Sequence, residues 1–189
     1  YSVELNGENE TINNTLFDLF KMILLAVALI YLIMVAQFQS LLSPFIVMFT
    51  IPLAFTGGLL ALWITGSEIS MIAMLGFLML AGIVVNNGIV FVDYVNQLRQ
   101  EGMEKHAALL EAGRTRIRPI LMTALTTILG LSTLALGMGS GAEMLQPMAI
   151  VTIGGLAYAT LLTLFVVPAL YDLFNRRPMK NHKLELEEI

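Results

Sequence analysis

The chain has 189 residues, of which 57% are hydrophobic and only 13% charged, and it carries no cysteine. This composition excludes an ordinary soluble domain, a disulfide framework and a thiolate metal site, and it identifies a polytopic membrane protein. The formal net charge of -4 averages over two sides of a membrane, so only the placement of the charges is informative.

In chain order, residues 1–15 are polar and acidic, begin without an initiator methionine and lack the layout of a signal peptide. They read as the end of an extracytoplasmic, porter-like segment of a longer protein. A first membrane span is predicted over residues 16–38, with Lys21 near its start reaching the interface. Pro44 opens a second span over residues 44–64, because a first-turn residue needs no amide hydrogen. Within that span Pro52 predicts a kink, Ala54, Gly57, Gly58 and Ala61 allow close helix approach, and Trp63 reads as an interfacial anchor.

A third span covers residues 69–94, ISMIAMLGFLMLAGIVVNNGIVFVDY, with no charge before Asp93. Residues 95–118 are polar and basic and read as a cytoplasmic loop, with AALLEA forming an amphipathic helix along the membrane surface. Pro119 opens a fourth span over residues 119–137, MGSGAE makes a hairpin, and a fifth span covers residues 144–174. Residues 175–189 form a polar tail. The fold class is therefore all-α, a polytopic bundle of five transmembrane helices.

Orientation follows from the basic residues. Arg99, Lys105, Arg114, Arg116 and Arg118 lie between the third and fourth spans, and Arg176, Arg177, Lys180 and Lys183 in the tail, leaving only Lys21 elsewhere. Basic segments stay cytoplasmic, so with five spans the N-terminus is outside and the C-terminus cytoplasmic. The protein would sit in the cell (inner) membrane, in contact with lipid. Nothing in the charge pattern points to a nucleic acid.

The third span holds the residues most costly to place. Asn86 and Asn87 are amides in hydrocarbon, so they must face other helices or a wet cavity. Each also has a bland explanation as packing glue, since interhelical amide bonds are common and contribute only ~0.6 to 2 kcal/mol. Asp93 lies on nearly the same helix face as Asn86 but near the cytoplasmic surface, where pairing with a loop arginine explains it. Thr123, Thr126 and Thr127 commonly bond the preceding helical turn. His106 and His182 read as solvated, and the methionines as packing residues. No HExxH and no pair of intramembrane aspartates occurs, so neither an enzyme nor a metal centre is expected.

These residues also carry a family resemblance. GIVVNNGIVFVDY, RTRIRPILMTALTTILGLSTLALGMGSGAE, IGGLAYATLLTLFVVPALY and QFQSLLSPFIVMFTIPLAFTGG resemble the last five helices of a resistance-nodulation-division (RND) multidrug efflux permease, over roughly Gly7 to Phe174. The resemblance implies a proton antiporter, with no cofactor beyond the proton motive force, exporting amphiphilic or toxic compounds. It implies a homotrimer in which this chain forms most of the second membrane half, facing an N-terminal half that lies outside this sequence. A periplasmic adaptor and an outer-membrane channel would join it in a host with two membranes.

In that family a lysine, a threonine and an arginine of the second half answer two aspartates of the first. The threonine matches Thr123 and the arginine Arg116, while the lysine position is Asn86. Asn87 and Asp93 stand as supporting residues. Asparagine still donates a hydrogen bond to a carboxylate but supplies no Coulomb attraction, so the relay or its ion would differ. A protein-export or sterol-sensing member of the same superfamily, or a structural membrane subunit, remain the alternatives.

Overall fold

The computed structural model describes the backbone of residues 2–38 and 41–174 and side chains from residue 10 onward within those ranges. The tail at 175–189, with His182 and four of the basic residues, lies outside the described residues. All regular structure among the described residues is helical: α1 (Ser2–Phe38), α2 (Leu42–Met48), α3 (Thr50–Thr65), α4 (Met71–Gln100), α5 (Lys105–Ala135) and α6 (Ala142–Phe174). Five stretches are long and apolar enough to cross a membrane: Glu10–Phe38, Leu42–Thr65, Met71–Gln100, Lys105–Ala135 and Ala142–Phe174.

Local chemistry sets the boundaries. The kink expected at Pro52 shows as a one-residue break in the helical bonding at Phe49, between α2 and α3, where the backbone stays helical at φ -62° and ψ -20°. Proline at 52 cannot donate to the Met48 carbonyl and its ring crowds that carbonyl. The buried Thr50 hydroxyl donates to the Val47 carbonyl at 2.6 Å. Gly66 ends α3 in the left-handed region at φ 67°, where a side chain would be strained. Ser70 then caps α4 by accepting from the Ala73 amide at 3.2 Å.

The basic stretch 95–118 is organised differently from the expected loop and surface helix. Residues 95–100 are the last turns of α4, a short turn follows, and α5 runs without a break from Lys105 through Pro119 to Ala135. Pro119 costs only the bond to the Thr115 carbonyl, and both residues lie on the exposed side of α5, where that carbonyl is not sealed in the core. At the other end, α1 continues through residues 2–15 as one helix with the first span.

The core is built around α6, which packs along α3, α4 and α5. Small residues set the spacing: a methyl group added at Gly57 would strike Tyr158, one at Gly154 would strike Ala61, and one at Gly155 would strike Leu80 and the Ala54 carbonyl. Without a hydrophobic driving force between helices in lipid, such backbone approach is what earns van der Waals contact. By contrast α1 buries few side chains. Ile23 and Met34 turn inward, while Phe17, Leu25, Leu32 and Ile33 are each more than half exposed.

Candidate transport site

The five residues singled out in the sequence fall on two helices. On α4, Asn86 is exposed and opens into an apolar groove of about 200 Å³ between α1 and α4, lined by Ile30, Ile33, Met34, Gly82, Val85 and Ile89. Its amide makes no hydrogen bond among the described residues. Such a group has no water to fall back on in hydrocarbon, so the groove is a place where a polar partner is required. Asn87, next to it, is half-buried.

Farther along the same face, Asp93 lines a polar cleft of about 280 Å³ with Gln37, Phe38, Asn96, Gln97 and Gln100. The expected pairing of Asp93 with a loop arginine does not form among the described residues. The carboxylate that meets the basic segment is Asp172 of α6: Lys105 forms an ion pair with it and donates to its backbone carbonyl at 3.1 Å. His106, exposed, stands 3.9 Å from the same carboxylate. The early start of α5 explains the exchange, because a helix beginning at Lys105 carries that side chain to the end of α6 rather than back to Asp93.

On α5, the Thr123 hydroxyl donates to the Ile120 carbonyl at 2.9 Å, Thr126 to Met122 at 2.7 Å and Thr127 to Thr123 at 2.8 Å. All three satisfy themselves within their own helix. Arg116 reaches α4 by stacking its guanidinium over the Tyr94 ring, 4.5 Å from the centroid, with its Nε buried and without a hydrogen-bond partner. That contact links the C-terminal part of α4 to the N-terminal part of α5.

A polar group that sequence reasoning missed sits at the end of α4. Asn96 donates to the Ser43 hydroxyl at 3.3 Å and accepts from the Tyr171 hydroxyl at 2.6 Å. Tyr171 in turn accepts from Arg99 at 3.1 Å, and the Arg99 guanidinium lies 5.7 Å from the Tyr171 ring. Ser43, Asn96, Arg99 and Tyr171 are all buried, so α2, α4 and α6 are tied together by satisfied polar contacts. Continuing the α4 periodicity past Tyr94 puts Val95, Asn96, Leu98 and Arg99 on its inner side; ending the span at Tyr94 hid that signal.

With this geometry in hand, comparison with known proteins is informative. A family model described as the AcrB/AcrD/AcrF family matches residues 1–175. The chain belongs to this family of RND permeases. This RND chain is 41% identical over 187 residues to the swarming motility protein SwrC of Bacillus subtilis, an alignment that covers 98% of the chain and 18% of that protein. It is 38% identical over 177 residues to the cobalt-zinc-cadmium resistance protein CzcA of Cupriavidus metallidurans, covering 94% of the chain and 17% of CzcA. It is 44% identical over 161 residues to the multidrug resistance protein MdtC of Erwinia tasmaniensis, covering 83% of the chain and 16% of MdtC. Among solved structures, the crystal structure of a heavy metal efflux pump, crystal form II, superposes with a TM-score of 0.79 at 33% identity, over 89% of the chain and 16% of the pump. The RND chain thus spans about a sixth of the length of these relatives. It is a multi-pass membrane protein of a family of efflux transporters.

Proposed function

We propose that this chain supplies most of the second membrane half of a proton-coupled RND exporter of amphiphilic or toxic compounds, and that Asn86 is its contact with the proton-carrying acids of the first half. The observation that carries this reading is the open groove at Asn86: an exposed amide at the centre of a long apolar helix, in a groove between α1 and α4 whose other lining residues are all apolar. Acids from the first half would accept its hydrogen bonds there. Thr123 has its hydroxyl on the Ile120 carbonyl, a bond it would exchange for a carboxylate. Arg116 would hold α4 and α5 in register through Tyr94. Asn87 and Asp93 would support the relay, Asp93 from the polar cleft at the helix end.

Coupling would be electrostatic. Protonating the acids removes charge from a low-dielectric site, which changes the best packing of α4 and α5, and that shift would pass to substrate-binding domains outside this sequence. Three copies would assemble, with an adaptor and an outer-membrane channel in a host with two membranes. A second reading, export of divalent metal ions, is favoured by the similarity to CzcA and to the heavy metal efflux pump. Export assays with amphiphilic dyes and with zinc in one strain separate the two.

The test of the relay is Asn86→Leu in the full-length permease. Export is expected to fall at least about tenfold with the inserted amount unchanged, since losing a charge-assisted hydrogen bond costs roughly 1.5–3 kcal/mol. Export at the parent level would sink the idea. Orientation is tested with single cysteines: positions Ser67 and Gly141 should react with an impermeant reagent added outside intact cells, and position His106 should not.

A further inference from the structure

Two buried hydroxyls on α6 have no partner and no place in the relay just described. Thr160 and Thr163 are 6% and 5% exposed, and the Oγ1 of each is sealed from solvent without a hydrogen bond. Thr123, Thr126 and Thr127, by contrast, each donate to a carbonyl three or four residues back in their own helix. Buried hydroxyls left bare are costly, and a helix offers them an easy remedy three or four residues back. That both decline it draws attention to the helices packed against them.

The register of α4 and α6 identifies one polar neighbour. Gly155 lies against Leu80, and Tyr171 donates to Asn96, an offset of 75 residues in both cases, so the two helices run parallel. The same offset sets Asn87 beside Leu162 and Thr163, with Thr160 one turn away. Rotation agrees with height for Asn87, and on α6 Thr163 lies nearer than Thr160 to the meridian of Gly155, which faces α4. Asn87 lies between the meridians of Gly76 and Leu80 on the helical wheel, and these two residues pack on α6 through Met148, Val151 and Gly155. The half-buried Asn87 amide makes no hydrogen bond among the described residues.

We propose that Thr163 and Asn87, with Thr160 at the edge, form an internal water site at the middle of the membrane, beside the contact of α4 with α6. Two hydroxyls and one amide give a water about three partners, the usual number for a buried water, and the polar surroundings distinguish the site from an apolar void that stays dry. The water bridges groups that do not reach one another directly. It extends the polar level at Asn86 and Asn87 inward to α6, the helix on which the bundle is built. Its participation in proton movement rests on the function proposed above, whereas the site itself does not.

The experiment is therefore made without a proton gradient, on the purified full-length permease in lipid nanodiscs. Hydroxyl radicals generated from water by a short X-ray pulse should modify Leu162 and Leu164, which flank Thr163, well above the level at the fully buried Leu156. Thr160→Val and Thr163→Val should each abolish that excess and lower the melting temperature, and Thr163→Ser, which keeps the hydroxyl, should preserve both. Modification no greater than at Leu156 in the parent overturns the site, whether or not the variants fold. So does a melting temperature at or above the parent's in both valine variants, because removing a truly bare hydroxyl relieves the structure instead of harming it. Loss of the site with export dependent on Asn86, or the reverse, separates the failure of this inference from failure of the relay.

Discussion

Asn86 and Asn96 sit ten residues apart on one helix and have opposite surroundings. Asn96 is buried, with its amide nitrogen on Ser43 and its carbonyl oxygen under Tyr171, so every strong partner it needs comes from this chain. Asn86 is exposed in an apolar groove with none. The difference separates two uses of an amide in a membrane protein. A satisfied amide fixes the packing of the helices around it, and a bare one holds a position for a group supplied from elsewhere.

The comparison can be broken most directly by removing each amide in turn. Asn96→Leu should cost folded, membrane-inserted protein, because the buried Tyr171 hydroxyl loses its acceptor, at about 1–3 kcal/mol. Asn86→Leu should spare folding and cost export. If both variants lose folded protein alike, the two sites are of one kind and the distinction fails.

A smaller effect sharpens the closed side. Tyr171→Phe keeps the ring and its stacking with Arg99 but removes the hydroxyl that links Arg99 to Asn96, so the melting temperature should fall by an amount equivalent to roughly 1–3 kcal/mol. Export per folded molecule should be unchanged. On the open side, Asn86→Lys introduces an ammonium where acids of the first half are expected, which favours their ionised form and should move the pH dependence of export towards acid. Export measured across a pH series, normalised to inserted protein, reads that shift.

The smallest expected effect separates Thr123 from its neighbour. Both Thr123 and Thr126 bond their own helix, but the Thr123 bond is part-buried and the Thr126 bond exposed. Thr123→Ala should lower export several-fold with little change in inserted material, and Thr126→Ala should be mild. Equal export from the two variants would leave Thr123 as a packing residue.

The sequence by itself determined the class of the protein and most of its helices. Long apolar runs admit only helices in a bilayer, and residues 16–38 and 144–174 fall within α1 and α6, while α4 starts at Met71, two residues into the expected span 69–94. The small residues Ala54, Gly57, Gly58 and Ala61 announced close packing, and Gly57 and Ala61 do meet α6. Polar stretches were less legible, because a charged run is compatible with a loop, a surface helix or the projecting end of a membrane helix. Only the tertiary structure made residues 95–100 and 105–118 continuations of α4 and α5, and with that continuity came the Asn96–Tyr171–Arg99 contacts and the pairing of Lys105 with Asp172. The same holds for the hydroxyls of Thr160 and Thr163. Spacing places them on α6, but whether a hydroxyl finds the preceding turn or is left bare depends on the helices packed against it, and those contacts join residues 75 positions apart.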